Sequence, residues 1–229
     1  MRIYTLNTLD STGYVIPVDE KITDIFFSEF QFGNTFASYG IGPYEGTWFN
    51  RPTSYQPDII HYKAGSQRLF SSRAKQVLEK QFLDTGEWLE VTIGDELLWM
   101  FNCLEIFDAI DESKSEIRRL SSNRVTEIRI HAFIEDNVPE NRVFMVATKP
   151  NHMFCTDTFV DFVKSYGWEG FYFKPVWDSE HEPWPSGPYR KEIRLRPEIF
   201  GPDGFVRGYE SAWPDEWKAK VKRDKGRSQ

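Results

Sequence analysis

The 229-residue chain has two cysteines, Cys103 and Cys155, too few for a disulfide framework. Long apolar runs are also missing. The longest, Leu97-Leu98-Trp99-Met100-Phe101, is far too short to cross a bilayer as a helix. The opening Met1-Arg2-Ile3-Tyr4-Thr5-Leu6-Asn7 lacks the apolar centre of a signal peptide. These absences lead us to expect a soluble cytoplasmic protein. Hydrophobic residues at 40% and charged ones at 28% match neither a disordered nor a membrane composition.

Motifs that carry chemistry are equally scarce. There is no Gly-x-Gly-x-x-Gly, Gly-Lys-Ser/Thr, Gly-x-Ser-x-Gly, His-Glu-x-x-His or Cys-x-x-Cys, so we assign no catalytic residue, metal or cofactor. Four histidines, His61, His131, His152 and His181, are scattered. The one His-carboxylate neighbour pair, His181-Glu182, stands in a proline segment and reads as a solvated loop rather than a metal site. Cys103 and Cys155 sit among apolar neighbours and read as inert small hydrophobes. A nucleophile with a distant histidine is the alternative.

Charge is what the chain does have, and it is uneven. The net value is -7. Residues 217–229 carry six basic side chains and only Asp224, a +5 tail. Residues 1–216 then hold 22 basic and 34 acidic residues, a charge of -12. Between Asp84 and Glu116 lie ten acids and one base, Lys114. An acidic body repels nucleic acids and anionic membranes and attracts a basic protein. We therefore expect no direct nucleic-acid or membrane partner.

The pattern of the chain points to an α+β class. We expect a mostly antiparallel sheet, two or three short helices packed on it, and an extended C-terminal tail. Thirteen aromatics between Tyr4 and Tyr62, interleaved with glycines and prolines, predict short strands and ordered loops over residues 1–66, with the rings in the core rather than lining a sugar or nucleotide site. Residues 67–177 form an α+β core. Ala74, Val77, Leu78 and Phe82 after Ser71-Ser72, and Phe159, Phe162, Val163 and Tyr166 after Thr156, each predict a short amphipathic helix with a hydroxyl N-cap. Gly86 and Gly167 are the expected stops, and each helix leads into a strand (88–93 and 170–176). The two units read either as a weak internal repeat or as two unrelated helix-strand pairs.

Gly94-Asp95 predicts a tight hairpin. Alternation from Glu127 to Ile134 predicts one strand with a single buried face, and a turn at 137–141 leads into a strand at 143–146. Residues 178–229 comprise a proline-rich segment and a basic terminal helix opening at Pro214. All three regions are expected to form one globular unit.

The carboxylates of Glu105-Ile106-Phe107-Asp108-Ala109-Ile110-Asp111-Glu112 are the most concentrated candidate site. Three readings compete: a solvated turn in which Asp111 caps a short helical turn through Ser115, an acidic face for a cationic partner, or an acid/base pair. On the second reading the partner-binding candidates are Glu105, Asp108, Asp111 and Glu112, with Asp95 and Glu96 at the hairpin.

The segment from Asn102 to Ser115 resembles the signature of a bacterial immunity-protein family, the eleventh of those associated with polymorphic toxins. Val143-Phe144-Met145, Phe154-Cys155-Thr156 and the run from Gly167 to Val176 are similar to its later strands, and Pro57-Asp58-Ile59-Ile60 with Ser71-Ser72-Arg73-Ala74 to its upstream segment. The resemblance covers about residues 40–176. It departs in the aromatic first forty residues and after Trp177, where partner specificity is expected. It implies a cytosolic antidote that binds a cognate toxin and blocks its active site or substrate path. The resemblance brings no catalytic residues with it. The acidic band adds the expectation of a toxin that is basic at its cleft. The competing readings are a hydrolase that reverses the toxin's product through Asp108 and Asp111, and an adaptor without a toxin.

Overall fold

The computed structural model describes residues 1–9, 13–49, 57–63, 67–82, 84, 86–180 and 193–194. The first strands are β1 (Arg2–Thr8), β2 (Tyr14–Pro17), β3 (Tyr44–Phe49), β4 (Ile59–Tyr62), β5 (Arg68–Ser71), β6 (Gly86–Ile93) and β7 (Glu96–Cys103). The later ones are β8 (Ile106–Phe107), β9 (Glu116–Arg119), β10 (Val125–Ile130), β11 (Phe144–Val146), β12 (Met153–Thr156), β13 (Phe171–Asp178) and β14 (Ile193–Arg194). Helices α1 (Glu20–Asp24), α2 (Ser72–Gln81) and α3 (Asp157–Ser165) accompany them. The class is α+β.

The strands do not form the one sheet expected. β2-β3-β6-β7-β5-β4 close into a barrel, β14-β13-β1-β12-β11-β8 form a six-stranded sheet, and β9 and β10 pair as a ribbon. Antiparallel pairing dominates, but β2–β4, β3–β6 and β8–β11 run parallel. Alternation along a strand marks which face is buried and is silent about the neighbour, so the division into barrel and sheet was invisible in the pattern.

Three apolar layers follow from that alternation. One face of the barrel strands points inward, with Val15, Tyr62, Leu69, Leu89, Val91, Leu98 and Met100 in the lumen. Their other face sends Ile59, Phe70, Phe101 and Cys103 outward against Leu6, Phe171 and Phe173 of the sheet, where α2 adds Leu78 and α3 adds Phe159 and Val163. The far face of the sheet packs Ile3, Phe144, Phe154 and Trp177 against Ile128 and Phe133. Each fully buried side chain of this size contributes about 1.5–3 kcal/mol.

Both middle helices form where expected, but their ends differ from expectation. The Ser71 hydroxyl accepts from the Ala74 amide at 3.3 Å and so caps α2. Thr156 holds the N-cap position of α3 without a capping bond; its hydroxyl instead donates to the Glu140 carbonyl at 2.7 Å. Gly167, at φ +63°, stops α3 as expected. Gly86 does not stop α2, which ends at Gln81. It begins β6, where a Cβ would lie 2.2 Å from the buried Phe101 ring. The hairpin turns at Gly94, φ +59°, with Ile93 opposite Glu96, the position a type II′ turn gives to glycine.

The strand expected over 127–134 ends at Ile130, after which His131, Ala132 and Phe133 are all buried. Phe133 there bridges Ile110 singly. The aromatic first region also holds more helical structure than expected: α1, a π-turn over Ile25–Glu29 and a 3-10 turn over Phe36–Tyr39. Pro175 sits inside β13 at a bulge, where the register on β1 shifts between Ile3 and Tyr4. A bulge tolerates a residue with no amide donor.

The two helix-strand units share one setting. α2 connects β5 to β6, and β7 lies between them, antiparallel to both. α3 connects β12 to β13, and β1 lies between them, antiparallel to both. Each is therefore a parallel pair joined by a helix and split by an antiparallel strand.

Candidate functional site

The structure does not bring the six candidate acids together. Asp95 and Glu96 sit at the tip of the β6–β7 hairpin, while Glu105 follows the other end of β7. Eight residues of strand put about 23 Å between those ends. At the tip Asp95 is exposed, and Glu96 accepts from the Trp48 indole at 3.2 Å.

Beyond β7 most of the acids are already bound within the fold. Glu105 meets Arg142 at 2.6 Å, and Asp84 approaches the same guanidinium at 4.0 Å. Both Glu112 oxygens accept from Arg119 at 2.6 Å. The Asp111 carboxylate accepts from the Ser113 amide at 3.1 Å and its hydroxyl at 2.6 Å, and Lys114 stands 3.5 Å away. Those hydroxyl and amide bonds, with Lys114, hold Asp111 below the usual carboxylate range. The Lys114 and Ser115 amides donate to the Asp111 carbonyl, so this is the capped turn of the first reading. Asp108 is exposed and has no basic partner among the described residues; its carbonyl accepts from Asn137.

The sequence segments around Asp58, Ser71 and Gly167–Gly170 meet at one buried carboxylate. Asp58 accepts from Arg73 Nε and Nη2, both at 2.6 Å, from the Ser71 hydroxyl at 2.7 Å, and from the Glu169 amide at 3.0 Å. Its own amide donates to the Glu169 carbonyl, and its carbonyl accepts from the Ser71 amide. Barrel, α2 and the turn into β13 are thereby locked together. The role is mechanical.

A convergence that the scattered histidines did not reveal lies between barrel and sheet. His61 of β4, Arg68 of β5 and His152, just before β12, line a cavity of about 170 Å³ with Thr5, Asn7 and Asn151. Burial, with Lys149 and Arg68 nearby, pushes the His152 imidazole down to about 4. Burial also pushes the Arg68 guanidinium down to about 10. Register brings His61 opposite Arg68, and no local spacing could have announced His152. Both thiols are buried. Cys103 is pushed up to about 12 by burial, and Cys155 is raised well above its usual value for the same reason.

At the end of the barrel where β2 finishes, α1 and the π-turn present a different surface. Ile25 and Phe26 are buried, and Phe30 packs on them beside Phe36. Glu20, Asp24, Phe27 and Glu29 are exposed. None of these acids has a basic partner within ion-pair distance among the described residues.

Among the described residues no helix is long and apolar enough to cross a membrane, and no three His, Cys, Asp or Glu side chains gather as metal ligands. His181-Glu182, most of the proline segment and the whole of the expected basic helix from Pro214 lie outside the described residues. A model of the Imm11 immunity protein family matches residues 47–178. No curated protein matches the chain.

Proposed function

The chain belongs to the Imm11 immunity protein family, and from that membership we propose that it binds a cognate bacterial toxin and covers the toxin's active site. It would do so in the cytoplasm of the cell that makes both. The observation that carries this reading is the family match itself, which spans the barrel from within β3 onward and strands β8, β11, β12 and β13 of the sheet. Electrostatics supply the recognition chemistry. A body at -12 accelerates encounter with a basic cleft and disfavours anionic competitors.

Of the acids expected at the interface, Asp95 and Asp108 are exposed and have no ion-pair partner among the described residues. Glu105, Asp111 and Glu112 pair with Arg142, Lys114 and Arg119, and Glu96 holds Trp48. We assign the first two to the toxin-facing surface and the other four to holding that surface in shape.

The test is a titration of toxin activity with purified full-length chain. Occlusion gives full protection near one equivalent and little below it. Complete protection by trace amounts, lost on Asp108→Ala or Asp111→Ala, would establish an enzyme that erases the toxin's product and overturn the proposal. The association rate should fall as salt rises, and a rate indifferent to salt removes the charge argument.

A further inference from the structure

We infer that the toxin is gripped by the outward face of residues 18–29, with Phe27 as the anchor. The inference rests on the proposed function and locates its contact. Three observations lead to it.

The first is exposure. Phe27 is 65% exposed and Val18 56%. Hydrophobic side chains scattered on a surface are ordinary, but here Phe27 stands on a short element whose other face is fully used. Ile25 and Phe26 are buried in the barrel cluster, and Phe30 packs against it. Phe26 meets Tyr62 edge-on at 5.2 Å and Phe36 at 6.2 Å. The backbone beneath Phe27 is thus fixed before any partner arrives, which lowers the entropy cost of using it as a contact.

The second is the backbone. Phe30 donates its amide to the Ile25 carbonyl at 2.8 Å, closing a π-turn across Ile25–Glu29. Such a turn inserts one residue into a helical segment, and Phe27 lies at its centre. Wide turns of this kind recur at functional sites.

The third is chemistry and position. Glu20, Asp24 and Phe27 are all exposed along α1 and the π-turn, with Asp19 and Glu29 at the ends of the segment. Val18 donates its amide to the Glu45 carbonyl, which adds the exposed Glu45 on β3. Across residues 18–29 there are four acids against Lys21, and none is neutralised by an ion pair among the described residues. Asp19 caps α1 by accepting from the Lys21 amide at 2.8 Å, which leaves Glu20, Asp24 and Glu29 around the ring. An aromatic ring set among such exposed carboxylates fits an apolar pocket rimmed by Lys or Arg, so the occupant is the basic cleft of the toxin. The segment lies wholly before residue 47, where the family match begins.

The experiment uses the full chain and the toxin encoded by the adjoining gene, with dissociation constants, association rates and protection in growth assays. Phe27→Ala should weaken binding at least thirtyfold, the loss typical of a hot spot. Its unfolding midpoint should be unchanged, because the ring is exposed. Glu20→Lys with Asp24→Lys should slow association and flatten its salt dependence.

Wild-type binding that survives all three substitutions but falls with Asp95→Lys or Asp108→Lys overturns this inference and leaves the proposed function standing. Failure of the wild-type chain to bind or protect overturns both. Hydrogen exchange on the free chain covers the remaining occupant. Protection of 18–29 at low salt that is lost at high salt would give the face to the chain's own basic end, and would also overturn the inference.

Discussion

Arg73 reaches across the first turn of α2 and grips Asp58 with two parallel hydrogen bonds of 2.6 Å. The carboxylate is 1% exposed and the guanidinium 64%, so the pair is a plug with its charged head in water. Because Ser71 and the Glu169 amide use the same carboxylate, this is the joint where barrel and sheet are fastened. Asp58→Ala leaves a half-buried hydroxyl and a half-buried amide without their acceptor and should destabilise the fold by roughly 2–4 kcal/mol. Arg73→Ala leaves the buried carboxylate its charge with only neutral donors and should cost a comparable amount, about 2–4 kcal/mol. Urea unfolding of the two variants checks both sizes.

Gly86 is held to glycine by space rather than by backbone angle. An added Cβ would meet Phe101 Cε2 at 2.2 Å and the Asn102 carbonyl at 2.6 Å, and Phe101 is completely buried. Gly86→Ala should cost about 1–3 kcal/mol through overpacking. An unfolding midpoint equal to wild type would mean the ring has room to yield.

Stability should decline in mild acid because of His152. Its imidazole titrates near 4 in the folded chain, against about 6.5 when unfolded. Between those values the unfolded chain takes up a proton that the folded chain refuses. The contribution is therefore complete above pH 6.5 and lost as pH falls to 4, to a total of about 3 kcal/mol. Lys149 and Arg68, beside the imidazole, act in the same direction as burial. In His152→Gln the stability difference between pH 7 and pH 4.5 should shrink by most of that amount, read from paired urea titrations. An unchanged difference would place the acid sensitivity elsewhere.

Neither thiol should react in the native protein. Cys103 and Cys155 are buried, and burial disfavours both thiolates. A chromogenic disulfide reagent should report no thiol in buffer and two in denaturant. Rapid labelling of either cysteine in buffer contradicts the packing of the layer between barrel and sheet.

Much of the local structure was determined by the sequence alone. Apolar spacing after Ser71 and Thr156 gave α2 and α3, and Gly94-Asp95 gave the hairpin, because helix periodicity and turn chemistry are properties of neighbouring residues. The capped turn at Asp111 was legible for the same reason. What lies far apart in the chain was decided only by tertiary structure. β6 and β7 carry the same alternation whether they join a barrel or an open sheet, since the pattern records burial and not pairing partner. Gly86 read as a helix stop because only the Phe101 ring opposite explains it.

The charge pattern divides in the same way. The sequence counted ten acids between Asp84 and Glu116, but could not reveal that β7 would carry Asp95 and Glu105 to opposite ends. Nor could it show that Arg119, Arg129 and Arg142, all outside that stretch, would neutralise Glu112, Glu116 and Glu105. Charge along a chain is additive and readable. Which charges remain free depends on the side chains that folding brings within 4 Å.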